Sequence, residues 1–185
     1  MEADKAGEAV DAYAARVRAI LEALGIPLSI IERRTFELCC EPAELVIAQT
    51  DADGREHHLV PAAEQAWRKM SAAAKAEGAS MQIVSAFRSV ERQTEIVLRK
   101  LEEGLTLDEI LCVSAPPGYS EHHTGRAIDV NAQGLPLTAE FEKTTAFQWL
   151  VMNADRFGFV MSYPRENRFG YLYEPWHWFF RGTGG

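Results

Sequence analysis

The stretch Ser120-Glu121-His122-His123-Thr124-Gly125-Arg126-Ala127-Ile128-Asp129-Val130 decides how the rest of the chain is read. It makes full sense only with a second stretch, Glu174-Pro175-Trp176-His177, near the C-terminus. Together they supply two imidazoles and a carboxylate for one metal, with a carboxylate to spare. Histidine plus carboxylate is the ligand chemistry of a borderline metal such as zinc. Three protein ligands leave a coordination position for water, the mark of a catalytic site.

Spacing tests the idea. On one helix His122 and Asp129 would share a face but lie roughly 10 Å apart along the axis. On one strand they would point to opposite faces. The chain must therefore turn between them, and Gly125 is the residue suited to the turn. After it, Ala127-Ile128-Asp129-Val130 alternates, so Ile128 and Val130 can face a core while Ala127 and Asp129 face a cleft. Glu174 and His177 would point to opposite faces of a regular strand, and Pro175 supplies the irregularity that brings both to one side. Side-chain chemistry alone would let His123 ligate as well as His122.

Ser120-x-His122-x-x-Gly125-x-Ala127-x-Asp129, followed by Glu174-Pro175-Trp176-His177, resembles the VanY-like D-alanyl-D-alanine carboxypeptidases, the M15 zinc metallopeptidases. Upstream, Ser85-Ala86-Phe87-Arg88-Ser89 with Gln93 resembles that family's third motif. The resemblance spans roughly residues 80–180. It implies His122, Asp129 and His177 as the ligands of one zinc per chain, and Glu174 as catalytic base. It implies that Arg88 binds the substrate or its oxyanion. Arg88, Gln93 and Ser120 are the available partners for a substrate carboxylate. His123 is left to line the cleft or to support a ligand. The family often continues Trp-His-x-Arg-Tyr, whereas here Phe179-Phe180 follows Trp178 and Arg181 comes later.

Composition bounds the alternatives. The 185 residues suit one domain, and 47% apolar residues suit a buried core. With 19 Lys+Arg against 27 Asp+Glu the charge is −8, with no basic stripe for nucleic acid. No apolar run is long enough to span a membrane. The acidic start, Met1-Glu2-Ala3-Asp4-Lys5, is no signal peptide, which points to a cytoplasmic protein, or to a cell-surface or periplasmic one if a leader was removed. Cys39, Cys40 and Cys112 form no disulfide framework and read as buried thiols. His-Glu-x-x-His and Gly-x-Ser-x-Gly are both absent, which sets aside helical zincins and nucleophile elbows.

Along the chain, helical spacing predicts helices over residues 8–24, 62–77 and 90–103, with Ser89 capping the last. A short helical turn is expected over 105–111. A further helix is expected within 138–157, burying Phe147, Leu150, Val151, Ala154 and Phe157. Asp51-Ala52-Asp53-Gly54 predicts a hairpin between strands 45–50 and 56–60, with His57 and His58 as a solvated pair. Further strands are expected at 81–85, 127–130, 159–163, 170–173 and 178–180. The mixture without strict βαβ alternation predicts an α+β single domain. Its mostly antiparallel sheet is flanked by helices, with the zinc site in a cleft on the sheet. Residues 1–60 are expected to form a helix and hairpin extension packed on a 61–185 zinc peptidase core.

The function expected from the resemblance is removal of the terminal D-alanine from peptidoglycan stem peptides, a D,D-carboxypeptidase reaction. The alternatives are L,D-carboxypeptidase action on recycled tetrapeptides in the cytoplasm, or a non-enzymatic zinc-binding recognition module. The partner is a stem peptide or muropeptide; the sequence is silent on oligomeric state.

Overall fold

A computed structural model describes residues 2–132 and 137–182, with side chains from residue 7 onward. Helix α1 (Glu2–Ala23) and the short α2 (Leu28–Arg33) lead into a hairpin, β1 (Val46–Thr50) and β2 (Glu56–Leu59). Then come α3 (Pro61–Ala76), β3 (Gln82–Ser85), α4 (Val90–Glu102), α5 (Leu107–Leu111) and a 3-10 turn, Glu121–Thr124. Strand β4 (Ala127–Asn131), α6 (Thr145–Asn153), β5 (Phe159–Met161) and β6 (His177–Phe180) complete the domain. It is the expected α+β architecture, a four-stranded antiparallel sheet in the order β3-β4-β6-β5 flanked by helices.

Local chemistry explains these elements. Pro61 opens α3, where its missing N–H has no helical partner to lose. Ser89 caps α4 by accepting the Arg92 N–H at 3.1 Å. Thr106 and Glu109 form a capping box at the start of α5. Gly125 ends the 3-10 turn with φ +64°, and a Cβ there would lie 2.8 Å from Leu45 and 3.3 Å from the Val60 nitrogen. Any other residue would meet both backbone strain and a clash.

Strand β4 is buried along its whole length, as befits a central strand. Ile128, Val130, Phe159, Met70 and Leu150 share one apolar core between the sheet, α3 and α6. Each such side chain contributes roughly 1.5–3 kcal/mol through burial. A second cluster joins Val17, Leu21 and Ile31 to Val97 and Ile110, packing α1 and α2 against α4 and α5.

Several sequence expectations need correction. Val151 is 58% exposed, because the buried stripe of α6 runs through Ala146, Trp149 and Leu150 and Val151 falls off that face. Residues 170–173 are not strand; the Leu172 N–H bonds to the Cys112 carbonyl in a loop, and the following Glu174 N–H to the Tyr163 carbonyl in another. Gly25 and Pro27 do stop α1, but the chain starts a second helix, α2, straight after Pro27. His57 is buried against Asp51, whereas its neighbour His58 stays half-buried on the other face. None of the three cysteines is buried: Cys39 and Cys112 are half-buried and Cys40 is exposed, and all are free thiols.

Candidate metal centre and its cleft

The β4 register sets Asp129 opposite His177 of β6 on one side and Ser85 of β3 on the other. The Glu121–Thr124 turn then swings His122 back over Asp129. Among the described residues, His122, Asp129 and His177 form a group of three buried donors whose ligating atoms all lie within 4.8 Å of one another. His122 Nε2 lies 3.2 Å from Asp129 Oδ2, and His177 Nδ1 lies 2.9 Å from Asp129 Oδ1.

Each imidazole is oriented through its other nitrogen. His122 Nδ1–H donates to the Ala86 carbonyl at 2.7 Å, which leaves Nε2 with a lone pair for an ion. His177 Nε2–H donates to Glu121 Oε2 at 2.8 Å, which leaves Nδ1 for the same ion. Glu121 also accepts a hydrogen bond from the Ser162 hydroxyl at 2.6 Å. Such outer partners fix tautomer and ring orientation and raise ligand basicity. The side chains therefore fit a divalent cation: two aimed imidazole nitrogens, a carboxylate between them and an open side toward a cleft.

Electrostatics agree. Burial alone would lower the His177 pKa, but hydrogen bonds and charge from Asp129 and Glu121 push it up to about 10. The metal-free ring is thus an imidazolium between two carboxylates, a proton where a cation would sit. Burial opposes ionisation of Asp129, yet His122 and His177 hold it well below the usual carboxylate range. Burial lowers the pKa of His122.

His123 is placed differently. It is fully buried, donates from Nδ1 to the Arg88 carbonyl at 2.6 Å and accepts the Gly118 N–H at Nε2, 3.0 Å away. Both nitrogens are spent, and burial drops its pKa to about 4, so it is a neutral brace beneath Arg88.

The cleft above the cluster has a volume of about 150 Å³ and is lined by Arg88, Ser120, Tyr163, Glu174 and Trp176 among others. A turn after Tyr173, closed by the His177 N–H bonding the Glu174 carbonyl at 3.1 Å, brings Glu174 and His177 to the same cleft. Burial raises the Glu174 pKa to about 7, with Asp129 and Glu121 adding to it and His177 and Arg88 opposing. Arg88 donates to Gln93 Oε1 at 2.7 Å and to Ser85 Oγ at 3.1 Å, and it lies 4.0 Å from Asp129. Gln93 does not line the cleft: it is fully buried below Arg88, and its Nε2 donates to the Ala115 carbonyl. The Tyr163 ring stacks on His177 with centroids 4.6 Å apart. Trp178 fills the core, as its strand position demands.

Sequence reasoning missed Glu121. Its adjacency to His122 was visible, but its partners Ser162 and His177 stand 41 and 56 residues away.

The family model of VanY, D-alanyl-D-alanine carboxypeptidase, matches residues 56–183. The chain belongs to this family. It is 35% identical over 153 residues to YodJ of Bacillus subtilis, covering 74% of this chain and 53% of YodJ. It is 35% identical over 120 residues to a D-alanyl-D-alanine carboxypeptidase of Enterococcus faecalis, covering 60% of this chain and 43% of that protein. The chain thus spans about half the length of these curated relatives. The solved LD-carboxypeptidase LdcB is 32% identical with a TM-score of 0.69, over 77% of this chain and 70% of that one. A mutant of the D,D-pentapeptidase VanY from a VanB-type resistance cassette, solved with Zn(II), is 28% identical with a TM-score of 0.61. That match covers 81% of this chain and 89% of the VanY chain. No helix of the described residues is long and apolar enough to cross a membrane.

Proposed function

We propose that this VanY-family protein is a zinc-dependent carboxypeptidase that removes the terminal D-alanine from peptidoglycan stem peptides. The observation that carries the reading is the His122–Asp129–His177 cluster, open to a cleft whose walls hold Glu174 and Arg88. His122 Nε2, an Asp129 carboxylate oxygen and His177 Nδ1 would hold one zinc. Bound there, zinc supplies Lewis-acid charge and acidifies water to a pKa of about 7.

The protein's own groups supply the rest. Glu174 takes a proton from the attacking water as that oxygen bonds to the scissile carbonyl carbon. It returns the proton to the leaving amine nitrogen as the C–N bond breaks. A pKa raised to about 7 suits a group that must do both. Arg88 presents a guanidinium to the developing oxyanion or to the substrate carboxylate. Its fork is held by Ser85 and Gln93, so it arrives already oriented, and Gln93 acts on the substrate through Arg88. Ser120 offers a hydroxyl on the same cleft.

The likeness to LdcB supports a second reading, L,D-carboxypeptidase action on tetrapeptides. Incubating the zinc-loaded protein with defined penta-, tetra- and tripeptides and weighing the products decides between them. Loss of D-alanine from the pentapeptide supports the D,D reading, and loss from the tetrapeptide alone the L,D reading. Tight zinc binding with no cleavage of any length would instead identify a zinc-binding recognition module.

A further inference from the structure

The segment between α2 and β1 bonds to the backbone of the loops that build the cleft. Arg34, at the end of α2, donates from Nε to the Phe169 carbonyl at 2.5 Å and from Nη1 to the Leu111 carbonyl at 2.7 Å. Its guanidinium lies over the rings of Phe36 and Tyr171, 4.9 and 4.8 Å from their centroids. The Phe169 carbonyl lies in a loop and the Leu111 carbonyl closes α5, and the loops that continue from them bond each other, Leu172 N–H to Cys112 O at 2.9 Å. One loop continues to Val113 and Ala115 and the other to Tyr171 and Glu174, all on the cleft wall. Arg34 is therefore the clamp at the root of the strand of chain that presents Glu174.

Glu41, seven residues on, reaches the other side of the cleft. Its Oε1 accepts the Val90 N–H at 2.6 Å, an N–H at the start of α4 that no helical carbonyl serves. Val90 lies two residues beyond Arg88, whose carbonyl is held by His123. Between the two anchors the Cys39 N–H donates to the Gly118 carbonyl at 2.8 Å, and Gly118 in turn donates to His123. Tyr13 of α1 secures the segment by donating its hydroxyl to the Cys39 carbonyl at 2.7 Å. Thr35 sits at φ +51°, a region that a β-branched residue occupies only when its surroundings impose it.

We infer that Arg34 and Glu41 are positioning residues of the catalytic cleft, Arg34 for Glu174 and Glu41 for Arg88. Both precede residue 56, where the family match begins. The inference rests on the peptidase reading for its kinetic consequences but not for its structural ones. A guanidinium bridging two carbonyls cannot be reproduced by the single ammonium of lysine. The Val90 N–H needs only an acceptor, so a glutamine at position 41 can serve it.

The test compares the zinc-loaded wild type with Arg34→Ala, Arg34→Lys, Glu41→Ala and Glu41→Gln. The readouts are zinc content, kcat and KM on the stem peptide, and hydrogen exchange of residues 88–92 and 169–174. Arg34→Ala and Arg34→Lys should keep zinc, lose kcat on the order of 10–10²-fold, as small misplacements do, and speed exchange in 169–174. Glu41→Ala should speed exchange in 88–92 and weaken kcat/KM, and Glu41→Gln should restore both. Should Arg34→Ala not fold, the Glu41 pair alone carries the test, because glutamine rescue separates an acceptor role from general destabilisation. An active wild type with unchanged kcat/KM and unchanged local exchange in both alanine variants overturns the inference. A wild type that cleaves no peptide defeats the peptidase reading instead, and the exchange data still decide whether the two anchors hold their loops.

Discussion

Among the described residues, two places hold a buried histidine against an aspartate, and they do different things. On the hairpin, His57 Nε2 meets Asp51 Oδ2 at 2.8 Å. Gln49 bonds Asp51 Oδ1 and then exchanges hydrogen bonds with both backbone groups of Ile83. The chain of contacts ends in β3 backbone, so the pair is a clamp fastening the hairpin to the sheet. On β4 and β6, His177 Nδ1 meets Asp129 Oδ1 at 2.9 Å. This chain of contacts runs on to a third donor, His122, and opens on a cleft. A His–Asp pair is thus no metal site by itself. A third donor with its tautomer fixed, and room for a substrate, make the difference.

The sharpest way to break the comparison is metal analysis of alanine variants. His122→Ala, Asp129→Ala and His177→Ala should each lose zinc and with it essentially all activity. His57→Ala and His123→Ala should retain about one zinc per chain, because neither ring has a nitrogen facing the cluster. Zinc loss in His57→Ala, or retention in His122→Ala, would show that the two pairs had been assigned to the wrong roles.

Glu174→Gln comes next in size. It keeps shape and zinc but removes the proton acceptor, so kcat should fall about 10²–10⁴-fold. Arg88→Ala should keep zinc and lose about 10²–10³-fold. Turnover at the wild-type rate in either variant would place that role on another residue.

Proton linkage sharpens the contrast further. A cation must displace the proton that His177 holds, with its pKa raised to about 10 by Asp129 and Glu121. Between pH 6 and 8 the metal-free ring is protonated, so zinc affinity should rise with pH by about tenfold per unit for that one proton. Calorimetry in buffers of different ionisation enthalpy counts the protons released; a count of zero refutes the bridged imidazolium.

The smallest effect belongs to the clamp. Removing the His57 ring leaves Asp51 without one partner, so His57→Ala should cost about 1–3 kcal/mol in thermal unfolding, with kcat/KM unchanged.

Much of the site was legible in the sequence because its chemistry is local. Gly125 between His122 and Asp129 announced a turn, and the turn is there with φ +64°. Pro175 announced an irregular approach to β6, and Glu174 and His177 do share the cleft. Tyr171 and Leu172 have strand-like side chains, but no ladder partner lies beside them. His57 and His58 look like a solvated pair in the sequence, because nothing local reveals that packing against Asp51 and Gln49 buries one of them.

By itself the sequence determined which donors could gather around one ion, since a motif of histidines, carboxylates and a glycine constrains its own backbone. Only the tertiary structure decided how those donors are oriented and who stands behind them. Antiparallel pairing of β4 with β6 brought Asp129 and His177 together across 48 residues. The same packing gave His122 the Ala86 carbonyl, His177 the Glu121 carboxylate and His123 two partners that remove it from ligation. The physical reason is that a tautomer is set by the partner of the opposite ring nitrogen, and that partner comes from whichever strand or loop the fold places there.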